Sequence, residues 1–136
     1  MTAREYLERA RTLDGEIEAK REHLARLRSQ LTGRAQVITG MPGGGRADWT
    51  DTVARAVELE RELIASIDGM LALRREISQM IARVPDGRHR QLLELRYLCG
   101  KKWEEVAEAM SYDVRWIYQL HEDALAEVEK LMEVHP

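Results

Sequence analysis

Apolar residues in the first third of the chain recur at alternating spacings of four and three: Tyr6, Ala10, Leu13, Ile17, Leu24, Leu27 and Leu31, with Lys20 in the same series. On a helix of 3.6 residues per turn that spacing draws a single stripe, so a heptad seam is predicted. The intervening Glu, Arg, Lys and Gln favour helix and leave the other face to water. Gly33 is placed to cap the C-terminus, which gives a first helix over about residues 2–33. Residues 34–48, with Gly40, Pro42, Gly43, Gly44 and Gly45, break the pattern and predict a surface connection. Asp48 or Thr50 can cap a second helix. Its seam is Val53, Ala56, Leu63, Ile67, Met70, Ile77, Ile81 and Val84, interrupted by Glu60 and Arg74. Val57, Ile64 and Leu71 fall one position later and widen the stripe beyond what one partner helix needs, so a third element is expected against it. Pro85 ends the helix, because proline removes a backbone donor and disfavours helix just before it. Two helices of about 30 residues, each about 45 Å long, could pair antiparallel by folding back through the Gly-rich connection.

After Pro85 the elements shorten. Asp86 caps a helix carrying Leu92, Leu93, Leu95 and Leu98 that ends at Gly100, before Lys101 and Lys102. A compact helix follows over Trp103–Met110, with Trp103, Val106, Ala107 and Met110 inward. Ser111, Tyr112 and Asp113 form a turn, and Asp113 caps a longer helix from Val114 to about Met132. That helix buries Ile117, Leu120, Ala124, Leu125, Val128 and Leu131. Two helices joined by a three-residue turn, the second longer and capped, match the helix-turn-helix plan, in which the second helix enters the major groove. The fold class predicted is therefore all-α: a long antiparallel, coiled-coil-like hairpin over residues 1–84, then a helix-turn-helix module over 85–136.

Composition narrows the function. One third of the 136 residues are charged, 5% are aromatic and Phe is absent, which suits long amphipathic helices better than a thick enzyme core. The net charge of −3 is unevenly spread: residues 1–34 carry 8 basic and 6 acidic side chains, residues 85–136 carry 7 and 11. The only cysteine, Cys99, cannot form an internal disulfide, and its Tyr-Leu-Cys setting reads as a small buried hydrophobe. No apolar run reaches the roughly 20 residues of a membrane span, and Met-Thr-Ala-Arg-Glu-Tyr lacks a secretory apolar region, so a cytoplasmic location is expected, without a membrane partner. His23, His89, His121 and His135 have no partner at ligand spacing, so no metal is implied. No Ser, Thr or Cys lies in a nucleophile-elbow context and no acid–base pair can be assigned, so neither an enzyme nor a cofactor is expected. The glycines before Arg46 lack the Gly-Lys-Ser/Thr ending and the preceding strand of a nucleotide loop.

The run Arg-Tyr-Leu-Cys-Gly-Lys-Lys-Trp-Glu-Glu-Val-Ala-Glu-Ala-Met-Ser-Tyr-Asp-Val-Arg-Trp-Ile-Tyr-Gln-Leu-His-Glu-Asp-Ala-Leu, residues 96–125, resembles region 4 of sigma-70 factors. There an acidic-aliphatic helix, like Glu104-Glu105-Val106-Ala107, precedes a capped recognition helix. The chain as a whole is similar to an uncharacterised family of small phage and prophage proteins. The resemblance implies a bacterial host cell and DNA contact through Val114, Arg115, Tyr118 and Gln119, with Trp116 at the edge and Asp113 as the cap. Arg115 would suit guanine and Gln119 adenine through paired hydrogen bonds, and Lys101 and Lys102 would sit at phosphates. Sigma factors are richly basic along this helix, whereas here Arg115 stands beside Asp113, Glu122 and Asp123. Phosphate neutralisation supplies most non-specific affinity, so DNA contact should be weak alone. The implied function is transcription regulation of phage type on promoter DNA, host RNA polymerase or both, with homo-oligomer formation through the hairpin as a further possibility. Two alternatives remain open: a small-terminase-like DNA-packaging or oligomeric scaffold protein, and a structural coiled-coil module with a degenerate helix-turn-helix.

Overall fold

A computed structural model describes residues 1–37 and 45–134, and these are all-helical, without a strand. Helix α1 runs Ala3–Val37, α2 Gly45–Ala82, α3 Gly87–Leu93, α4 Trp103–Met110 and α5 Val114–Val134; a π-helical turn, Glu94–Leu98, follows α3. Two compact units result, one of Met1–Leu13 with Met70–Pro136 and the other of Asp14–Gly69. The units thus divide within the two long helices rather than at Pro85.

The unit of residues 14–69 buries Ile17 and Leu24 of α1 and Ala56, Leu59 and Leu63 of α2. Arg28 reaches Glu60 at 3.5 Å, an exposed ion pair of at most about 1 kcal/mol. Gly33 does not end α1, which continues to Val37 with Gly33 exposed. One glycine costs a helix about 1 kcal/mol, too little to terminate it when Arg34, Ala35 and Gln36 follow. The expected connection is accordingly narrower: 34–37 and 45–48 are helical, and the expectation for 38–44 falls outside the described residues. Asp48 and Thr50 lie inside α2 rather than at its cap, with the Asp48 carboxylate in the first turn, near the positive end of the helix dipole.

The buried stripe of α2 also departs from expectation. Leu59 and Leu73 are buried in place of Glu60 and Arg74, so the seam is uninterrupted, one position earlier at those two layers. The stripe is thereby turned away from Val57, Ile64 and Leu71. These are exposed by 44%, 56% and 51%, and no third element covers them among the described residues.

In the other unit Ala3, Leu7 and Ala10 of α1 and Leu73, Ile77 and Ile81 of α2 share a core with Leu92, Leu93, Tyr97, Val106, Ile117, Leu120, Ala124 and Val128. A fully buried Leu or Ile contributes about 1.5–3 kcal/mol, so this core holds α3, α4 and α5 in place. Asp86 caps α3 as expected: its Oδ1 accepts the Arg88 backbone N–H at 2.8 Å. Arg90 donates to the carbonyls of Val84 and Pro85 at 2.7 and 2.9 Å, satisfying acceptors beside the break. The Arg74 guanidinium donates to the carbonyl of Leu98.

Cys99 is exposed, contrary to the buried position expected of it. The π-turn explains this. The Cys99 N–H donates to the Glu94 carbonyl at 2.9 Å, five residues back, and the widened turn rotates the residues after it. Tyr97 takes the inward position and Cys99 faces outward. Gly100 then adopts φ +69°, a left-handed conformation open to glycine at little cost.

Candidate nucleic-acid interface

Local chemistry fixes the turn between α4 and α5. The Lys102 N–H donates to Glu105 Oε1 at 2.9 Å and starts α4. Ser111 ends it at φ 59°, ψ 42°, its N–H donating to Glu108 at 3.2 Å, while the Tyr112 N–H donates to Ala107 at 3.0 Å. Asp113 Oδ1 then accepts the Arg115 N–H at 3.0 Å, satisfying a backbone donor at the start of α5. Ile117, Leu120 and Ala124 face the core, which fixes the rotation of α5 and turns Arg115, Trp116, Tyr118 and Gln119 outward.

The eight residues picked from sequence fall into three groups. Arg115, Trp116, Tyr118 and Gln119 are exposed together on the first turns of α5. The Arg115 guanidinium makes no hydrogen bond or ion pair among the described residues. Gln119 donates its amide to Asp123 Oδ1 at 3.3 Å, so reaching a base edge would require it to leave that carboxylate. Trp116 is exposed by 45% and meets Tyr112 edge-on at 6.5 Å between ring centroids. Asp113 caps the helix, and Val114 is half-buried against the core. Lys101 is half-buried and Lys102 exposed just before α4, and neither ammonium group forms an ion pair among the described residues.

A shallow open groove of about 400 Å³ runs beside this face, lined by Arg4, Trp103, Arg115, Tyr118, Gln119, His121 and Glu122. Its floor is aromatic. Trp103 and His121 have ring centroids 4.5 Å apart and Trp103 meets Tyr118 edge-on at 5.7 Å, while the Arg96 guanidinium lies over the indole, 4.2 Å from its centroid. Arg96 also donates to the Lys101 carbonyl at 3.0 Å, so it anchors the approach to α4. Below, the Tyr97 hydroxyl and His121 Nε2 share a buried hydrogen bond of 2.7 Å. Burial pushes Tyr97 up to about 12 and His121 down to about 4, the latter helped by the charge of Arg4. Both are neutral at neutral pH, so His121 supports the groove without adding charge to it. At the rim Arg4 pairs with Glu122.

Three contributors escape the sequence pattern. Arg4 lies 118 positions from its carboxylate partner, and nothing local announces the pairing. Arg96 looks like any helix arginine until the π-turn brings it over Trp103. His121 shows the one usable signal, a polar residue one position after the apolar Leu120. Among the described residues no group of three or more His, Cys, Asp or Glu side chains could hold a metal ion, and no helix is long and apolar enough to cross a membrane. Comparison with protein families, with curated proteins and with solved structures finds no match to this chain.

Proposed function

We propose that the chain is a transcription regulator of phage type whose α4–turn–α5 segment is a sigma-70 region 4-like helix-turn-helix acting on promoter DNA, host RNA polymerase or both. The observation that carries this reading is the first two turns of α5. They set an uncommitted Arg115 guanidinium beside Tyr118 and Gln119 on an exposed face, while Ile117 and Leu120 hold the opposite face in the core. Arginine and glutamine one helical turn apart can address neighbouring bases. We further read α1 and α2 as a long antiparallel hairpin that docks a partner. Support comes from the core shared by Ala3–Ala10 and Leu73–Ile81, and from the Arg28–Glu60 pair.

The charge of α5 sets the expected strength. Glu122 and Asp123 follow the single arginine, so duplex binding no tighter than micromolar at physiological salt is expected of the chain alone. Selection from random duplexes, followed by anisotropy titrations, tests the reading. Arg115→Ala and Gln119→Ala should each weaken the selected site by about 1–3 kcal/mol while leaving Tm unchanged. If the double variant binds the selected site as the parent chain does, base reading by α5 is wrong. The exposed apolar stripe of α2 favours a second reading, a small-terminase-like DNA-packaging or scaffold protein. Native mass separates the two: a ring of many copies speaks for packaging, a monomer or dimer for regulation.

A further inference from the structure

Two of the four side chains exposed together on the first turns of α5 are aromatic. Tyr118 is exposed by 47%, close to the value for Trp116. At 3.6 residues per turn, Trp116 stands about 100° to one side of Arg115 and Tyr118 about 60° to the other. The uncommitted guanidinium thus lies between two rings. Each ring is braced by one neighbour. Trp116 meets Tyr112 with planes 70° apart, and Tyr118 meets Trp103 with planes 69° apart. In an edge-to-face pair a neighbour covers at most one face of a ring, so Trp116 and Tyr118 each keep a face that this neighbour does not take. Trp103 has the Arg96 guanidinium over it and the His121 ring beside it, which makes it a support rather than a platform.

In an intact duplex the bases stack on one another and present only their edges in the grooves, so two open rings find no base face there. A strand with unpaired bases offers those faces, and one base stacked on an aromatic side chain is worth roughly five- to hundredfold in affinity. Charge points the same way. A duplex carries twice the phosphate charge per unit length of a single strand, and Arg115 shares its helix face with the carboxylates of Glu122 and Asp123. The order ring, cation, ring across α5 also matches the order base, phosphate, base along a strand. We infer that this face of α5 binds DNA whose bases are unpaired, one base stacking on Trp116 and another on Tyr118, with Arg115 at the backbone between them. The inference rests on the reading of α5 as a DNA-contacting helix and adds the state in which the DNA is taken.

Anisotropy titration of the full chain with a labelled strand of about 12 nucleotides, and with the same strand annealed to its complement, provides the test. At physiological salt the single strand should bind at least about fivefold more tightly than the duplex. Trp116→Ala and Tyr118→Ala should each weaken strand binding about tenfold. Trp116→Phe keeps a ring, so it should retain binding within about threefold while losing the quench of indole emission that stacking causes in the parent chain. An RNA strand of matching sequence should bind within several-fold of the DNA, because the rings meet base faces and not the sugar. Duplex binding as tight as strand binding overturns the inference, as does strand binding that survives both alanine substitutions or is confined to RNA. If the duplex binds more tightly and that binding still depends on Arg115 and Gln119, the inference fails and the reading of α5 stands. If neither form of DNA binds, both fail.

Discussion

Mild acid should loosen this protein through one side chain. The His121 ring is 97% buried, hydrogen-bonded to Tyr97 at 2.7 Å and covered by Trp103, and its pKa is depressed from 6.5 to about 4. In the unfolded chain the same imidazole takes up a proton near pH 6.5. Between about pH 6.5 and 4 the unfolded state therefore binds a proton that the folded state refuses, and stability must fall as pH falls. It is present in full above about 6.5 and is lost progressively down to about 4. At about 1.4 kcal/mol per tenfold in proton affinity, the loss comes to about 3 kcal/mol. Urea unfolding followed by far-UV circular dichroism, at several pH values from 7.5 to 4.5, measures it. His121→Gln, which keeps a hydrogen-bonding group but does not titrate in this range, serves as the comparison. The difference in slope between parent and variant isolates His121 from the other histidines. Should the variant not fold, a ring-resonance titration of the parent gives the same information, with His121 expected to stay neutral to below about pH 5. A parent slope no steeper than that of the variant, or a ring that protonates near pH 6.5, would refute the reasoning.

Two further outcomes concern the α4–α5 corner. Ile117 is fully buried where α5 meets the core, so Ile117→Ala should cost about 2–5 kcal/mol in urea unfolding; a cost below about 1 kcal/mol would show that the corner is loosely packed. Ser111 sits at φ 59°, where a side chain is strained, and Ser111→Gly should raise stability by about 0.5–1 kcal/mol. A lower Tm for that variant would count against strain at the turn.

The α4–turn–α5 segment was legible in the sequence because its signals are local and agree with one another. Trp103–Met110 has one apolar face, Asp113 is a strong cap, and Ile117, Leu120, Ala124 and Val128 keep helical spacing, all of which the structure reproduces. The resemblance implied a groove-facing set of Val114, Arg115, Tyr118 and Gln119 with Trp116 at its edge; Arg115, Trp116, Tyr118 and Gln119 are exposed, whereas Val114 is half-buried against the core. Cys99 was not legible, because the π-turn at Glu94–Leu98 inserts a step that a period of 3.6 does not contain. The long helices were ambiguous for a different reason. Where Leu59 and Leu73 sit next to Glu60 and Arg74, an alternation of three and four can be drawn through either neighbour, and only packing decides. Arg4, the groove residue from the other end of the chain, is placed by tertiary contact alone.

The first turns of α1 are part of the core that α5 completes. Leu7 is fully buried there, and the Ala3 N–H donates to Glu129 Oε2 at 2.7 Å, 126 positions further on. During synthesis residues 3–10 leave the ribosome far ahead of residues 124–129. At about 5–20 residues per second, roughly 6–25 seconds pass between them. Throughout that interval Leu7 and Ala10 lack the helix that covers them, so the unit folds only after α5 has emerged. A stop introduced anywhere in α5 would strand the opening residues as well as the closing ones.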